Sequence, residues 1–108
     1  MILDDMMKIL AFVRVVPIGT STASLSSYVA EVIKVIKSLG VNYQVTPFGT
    51  GVELNSFEDL TKLISLINEK LRSLNISRVL IDVSLDLRYD KEISLEYKVK
   101  SVQEKVSR

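Results

Sequence analysis

Two stretches of this chain stop in the same way. VVPIGT at 15–20 and VTPFGT at 45–50 each carry a β-branched run into Pro-x-Gly-Thr. Proline cannot donate to a β-ladder, and glycine accepts backbone turns that a Cβ resists, so each stretch reads as a strand end. Residues 8–17, KILAFVRVVP, form the first of these strands, and residues 42–48, NYQVTPF, the second. Between them residues 24–39, SLSSYVAEVIKVIKSL, set Leu25, Tyr28, Val29, Val32, Ile36 and Leu39 on one helical stripe, with Ser24 placed to cap it and Gly40 to end it.

After the second stop the chain reverses at once. Gly49-Thr50-Gly51 reads as a tight turn into a short strand, GVEL, too close to its predecessor for an intervening helix. A second helix starts at Asn55 or Ser56, with Asp59 in the position of a capping box, and its stripe is Phe57, Leu60, Ile64, Ile67, Leu71 and Leu74. Residues 78–88, RVLIDVSLDLR, alternate as a strand, and a last helix over about 91–106 carries Leu95, Val99, Val102 and Val106. The order β-α-β-β-α-β-α with right-handed crossovers predicts a ferredoxin-like α+β sandwich: a four-stranded antiparallel sheet, ordered 4-1-3-2, with two helices on one face. Both Pro-x-Gly-Thr stops then fall at one end of the sheet. Residues 1–7 read as a loose leader, with Met6 or Met7 as alternative starts, and 8–108 as a single domain.

The composition removes whole classes of chemistry. The 108 residues include no Cys and no His, which excludes disulfides, thiolate nucleophiles, His-based proton transfer and the usual Zn or Cu ligand sets. Fourteen basic residues balance thirteen acidic ones without a basic stripe, so a nucleic-acid partner has no electrostatic support. No uncharged run is long enough to span a bilayer, and the leader is unlike a signal peptide, so a cytoplasmic protein is expected. At 47% hydrophobic residues, a domain this small is expected to bury a further surface in a subunit interface. The acid pairs Asp86/Asp90 and Glu58/Asp59 lack the signs of a catalytic pair, and PIGT and PFGT lack the spacing and Lys of a phosphate loop. Ser21-Thr22-Ala23-Ser24 offers hydroxyls before a helix, without a base partner.

Strand alternation sorts the two faces of the sheet. Ile9, Ala11, Val13, Val15, Val79, Ile81, Val83, Leu85, Leu87, Val52 and Leu54 point to the helices. Leu10, Phe12, Arg14, Val16, Gln44, Thr46, Glu53, Asp82 and Ser84 point away. The strand order predicts Arg14 between Asp82 and Glu53, a polar cluster in an apolar surround. Such a face suits subunit packing, a small-molecule pocket or a surface ion pair, and residue types do not choose among them.

The motifs, taken together, resemble the small YkoF-like thiamine-binding family. They are P-x-G-T at Pro17, Gly19 and Thr20; a serine-rich helix start at Ser24, Ser26, Tyr28 and Val29; Tyr43, Pro47, Gly49, Thr50 and Glu53; and D-x-R-x-D at Asp86, Arg88 and Asp90. The likeness runs from Lys8 to the C-terminus, with Ser84 where family members often carry a basic residue. It implies a ferredoxin-like subunit assembled by its sheets into homodimers and homotetramers, and binding of thiamine or its hydroxymethylpyrimidine part rather than catalysis, with no cofactor and no metal. The residues it implies for the ligand are Thr20, Ser26, Tyr43, Thr46, Thr50 and Glu53, with Gln44 beside them, Phe12 or Tyr43 stacking on a ring, and Glu53 and Asp82 balancing the ligand's charge. Arg14 opposes a cation unless its neighbours neutralise it. A structural or regulatory assembly module is the alternative, and an Asp/Glu enzyme of pyrimidine-like substrates a third reading.

Overall fold

The β-branched runs separate into strands because their alternate residues bury on one side, and the striped segments become the helices that cover that side. The computed structural model describes residues 8–20 and 25–107. Its elements are β1 (Ile9–Ile18), α1 (Ser26–Ser38), β2 (Tyr43–Thr46), β3 (Gly49–Leu54), α2 (Phe57–Ser73), β4 (Arg78–Leu87) and α3 (Leu95–Val106). The strands form one antiparallel sheet in the order β2-β3-β1-β4, the ferredoxin-like sandwich expected from the chain order. Residues 1–7, the run 21–24 with its proposed cap Ser24, and Arg108 lie outside the described residues.

The core lies between the sheet and the α1/α2 layer. Ile36, Val52, Leu54, Leu63, Ile67 and Leu71 are essentially sealed from solvent, joined by Ile9, Ala11, Val13, Val32 and Val35. Each large side chain so buried contributes about 1.5–3 kcal/mol of transfer free energy. Ser56 is the cap of α2, its Oγ accepting from the Asp59 N–H at 3.1 Å.

Three local expectations change. The hairpin turns at Pro47-Phe48, closed by the Thr46–Gly49 pair, so Gly49 and Gly51 lie inside β3 rather than in the turn. Their φ angles are not left-handed. They are glycines because other groups press on them: a Cβ on Gly49 would stand 2.6 Å from Phe12 Cζ and 2.9 Å from the Val13 carbonyl oxygen, and one on Gly51 3.1 Å from Leu95 Cδ2. Gly19, by contrast, sits at φ 76° and does need glycine's conformational freedom. Leu85, expected in the core, is 41% exposed, because β4 is an edge strand with a neighbour on one side only. Leu10, expected on the open face, is buried. The last helix accounts for that burial: Leu95 and Lys98 of α3 share a hollow with Leu10, Phe12 and Ser84, so this side of the sheet is covered at that end.

Candidate functional site

The site follows from unequal strand lengths. The β1–β3 ladder ends at Val13–Thr50, whereas the β1–β4 ladder continues to Ile18–Arg78. Arg14 to Ile18 therefore run on for about 16 Å beyond the last β1–β3 pair, paired among the described residues with β4 alone. Under this ledge, where β3 would have continued, lies a cavity of about 270 Å³. Its floor is Val13, Val15 and Val16 of β1, its far wall Leu25, Val29, Val32 and Ile33 at the start of α1, and its near wall the hairpin residues 46–50. The lining is mostly apolar. Its polar groups are Arg14, the two threonines of the hairpin and the edge of β1 that has no ladder partner among the described residues; such an edge leaves N–H and C=O groups to be satisfied by something else.

The hairpin wall is held by its own hydroxyl. Thr46 Oγ1 donates to the Gly49 carbonyl at 2.9 Å and accepts from the Phe48 N–H at 3.2 Å, fixing the two-residue turn. The absence of a side chain at Gly49 lets the hairpin lie directly on Phe12 and β1. Thr50, 4% exposed, pairs with Val13 on one side and Val45 on the other, and it borders the cavity.

Arg14 borders the cavity as well, but its head group is held elsewhere. Nε and Nη2 both donate to Asp82 Oδ2, at 3.3 and 3.0 Å, across the β1–β4 pair. The expected partnership of Arg14 with Glu53 does not form: Glu53 stands opposite Leu10, four residues further along β1.

Glu53 has a different environment. It is 7% exposed, with Oε2 accepting from Asn42 Nδ2 at 3.1 Å and Oε1 from the Leu95 N–H at 2.7 Å. A carboxylate on a first-turn N–H satisfies an orphan donor and complements the helix dipole, so Glu53 pins the start of α3 onto the sheet. Ser94 Oγ caps the same turn through the Tyr97 N–H at 3.0 Å. The family-like acids at and just after the end of the final strand act nearby: Asp86 pairs with Lys98 of α3, and Asp90 takes both Nε and Nη2 of Arg88, at 2.7 and 2.6 Å. That fork holds the Asp90 carboxyl down at about 2, chiefly by hydrogen bonding. Lys91 donates to the Tyr97 hydroxyl at 2.9 Å and lowers its pKa.

The six residues singled out for a ligand thus divide. Thr46 and Thr50 line the cavity. Thr20 lies just past the end of β1, and Ser26 opens α1 next to the cavity-lining Leu25. Tyr43 and Glu53 instead border a second hollow with Asn42, Gln44, Ser94 and Glu96. Sequence reasoning missed Val29, Val32 and Ile33 as cavity walls, reading them only as a core stripe or not at all. It also missed the β1 edge, whose exposure depends on where a distant hairpin ends. Ser84 lies in the α3-covered hollow, where Lys98 stands nearby. Among the described residues no cluster of acidic, Cys or His groups suits a metal ion, and no helix is long and apolar enough to cross a membrane.

Fold and cavity together define a ferredoxin-like sandwich with a preformed cleft at the parallel ends of β1 and β2. Residues 11–103 match the sequence model of the thiamine-binding protein family, and the chain belongs to that family. It is 35% identical over 98 residues to a UPF0045 protein of Methanothermobacter thermautotrophicus, covering 91% of this chain and 99% of that one. A UPF0045 protein of Bacillus subtilis is 37% identical over 97 residues, covering 86% and 92%. Among solved structures, a hypothetical protein from Methanocaldococcus jannaschii superposes with a TM-score of 0.78 at 31% identity, over 92% of this chain and 99% of that one. A Thermotoga maritima protein, provisionally described as one of thiamine biosynthesis or salvage, gives 0.76 at 25% identity, over 88% and 98%.

Proposed function

We propose that the protein binds thiamine, or the hydroxymethylpyrimidine part of it, without turning it over, in the cavity beneath the β1 ledge. The observation that carries this reading is the edge of β1, without a ladder partner among the described residues, facing an apolar cleft. An aminopyrimidine offers an amine donor beside a ring-nitrogen acceptor, the same alternation a strand edge presents, while its faces need apolar walls such as Val15, Val29 and Val32. A volume near 270 Å³ sits at the small end of ligand pockets, which suits one ring seated deeply. Family membership and the thiamine-related description of the Thermotoga relative support the ligand class.

In this reading Thr50 and the β1 edge hold the ring, Thr46 keeps the hairpin wall in place, and Thr20 and Ser26 close the mouth from the β1–α1 side. Tyr43 and Glu53 contribute by fixing β2, β3 and α3 around it. Among the described residues the one ionisable group on the lining is Arg14, already paired, which supplies no general base. Calorimetry with thiamine and with hydroxymethylpyrimidine tests the proposal: saturable heat in the wild type, reduced at least severalfold in Thr50→Val, is expected. No heat with either ligand contradicts it.

A second copy of the chain is the proposed cover for the remaining apolar surface. Val99, Val102 and Val106 of α3 are 42%, 61% and 78% exposed, a stripe that no described element covers. That stripe also favours the second reading, an assembly module without a ligand, for which light scattering shows an oligomer and calorimetry stays silent.

A further inference from the structure

We infer that Asp82, which does not touch the cavity, sets which ligand charge the cavity accepts, by holding Arg14 on the far side of β1. The inference rests on the cavity being a ligand site. β1 has β4 on one flank and, from Arg14 onward, the cavity on the other. Arg14 is the one ionisable residue among the described residues lining the cavity, so its guanidinium decides the charge a guest meets there. Among the described residues both of its side-chain hydrogen bonds run to a single oxygen of Asp82 on β4, away from the cavity flank. Glu53, the other acid that sequence places on this face, is too far along β1 to share the task and is engaged by Asn42 and Leu95.

Two consequences follow. With Asp82 in place, the pair is neutral as a unit, and a cationic ring such as a thiazolium approaches without net repulsion. With Asp82 removed, a long flexible cation is left at the cavity rim, with nothing on β4 to hold it there. The pair is about half exposed, so its contribution to folding is small and its loss leaves the fold intact. A unit charge newly placed within several ångströms of a bound ion, in a half-solvated setting, changes affinity by roughly three- to tenfold. Asp82 is in this sense a positioning residue: it acts on the guest only through Arg14.

The test uses three probes of one shape and different charge, benzamidine, benzamide and benzoate, with binding followed by amide shifts in NMR titrations. In the wild-type protein the two ions are expected to bind within about threefold of each other. In Asp82→Asn, benzoate gains and benzamidine loses roughly three- to tenfold, benzamide is unchanged, and the differences shrink as salt rises. In the double variant Arg14→Gln/Asp82→Asn the sorting by charge disappears. An Asp82→Asn protein that changes all three probes alike, or none of them, overturns the inference, as does sorting that survives in the double variant. If thiamine and hydroxymethylpyrimidine fail to bind while the probes still sort by charge, the thiamine reading falls and the role of Asp82 stands. If no probe enters the cavity, both fall together.

Discussion

The two sides of the sheet are held by different physics. On one side α1 and α2 bury six apolar residues, Val32, Val35, Ile36, Leu63, Ile67 and Leu71, against the strands. On the other, α3 buries none of its own residues. It is pinned at its first turn by the Glu53 carboxylate, by Leu95 resting on Gly51, and by the Lys98–Asp86 pair. The first layer is stabilised by area removed from water, spread over many contacts. The second depends on a few directional contacts and leaves its apolar stripe outward. A layer of the first kind loses stability in proportion to what is cut from it; a layer of the second kind detaches when one anchor goes.

The largest effect is expected in the thick layer. Leu63→Ala or Ile67→Ala removes a sealed side chain and leaves a cavity, lowering stability by about 2–5 kcal/mol in urea unfolding. Protection from hydrogen exchange should fall across the whole fold, because the core is one cooperative unit. Next comes Glu53→Ala, which orphans the Asn42 amide and the Leu95 N–H and lowers stability by about 2–3 kcal/mol. Here exchange should quicken first in α3, and equal loss of protection in α1 and α2 would erase the contrast drawn above. Gly49→Ala is expected to lose about 1–3 kcal/mol, since both the Phe12 ring and the β1 backbone must yield. Gly51→Ala should lose less, because only the end of Leu95 has to move.

Much of this was legible from residue order. The short link between β2 and β3 excluded a helix there, and the strand order followed. The start of α2 was legible to within one residue, Asn55 or Ser56, and Ser56 is the cap. What escaped were facts that depend on distant partners. Leu10 looks outward by alternation, and only the docking of α3 buries it. Gly49 looks like a turn residue beside Pro47, whereas the ring that demands it belongs to Phe12, nearly forty positions earlier. Arg14, Asp82 and Glu53 all face the expected way, yet register alone decides that the first two meet and the third does not. The cavity was hidden for the same reason: it is the gap left where a short hairpin stops beside a long strand.

The smallest effects sit at the edge of the thin layer. Asp90 has its carboxyl near 2 in the folded chain against an ordinary 3.8, so its stabilising contribution is present above about pH 4 and fades as pH falls toward 2. In Asp90→Asn that part of the acid dependence should vanish, as read from unfolding midpoints between those pH values. Val102→Lys should change monomer stability by no more than about 0.5 kcal/mol, because the position is already exposed. If a second copy covers the α3 stripe, the same variant should halve the mass seen by light scattering; an unchanged mass would place the subunit contact elsewhere.

The most direct test of the account is where a ligand lands. Titrating the isotope-labelled protein with hydroxymethylpyrimidine should give saturable amide shifts centred on Val13 to Val16, Thr46 to Thr50 and Val29 to Ile33. Shifts gathered instead around Tyr43, Gln44, Glu53 and Ser94, or none at all, would contradict it.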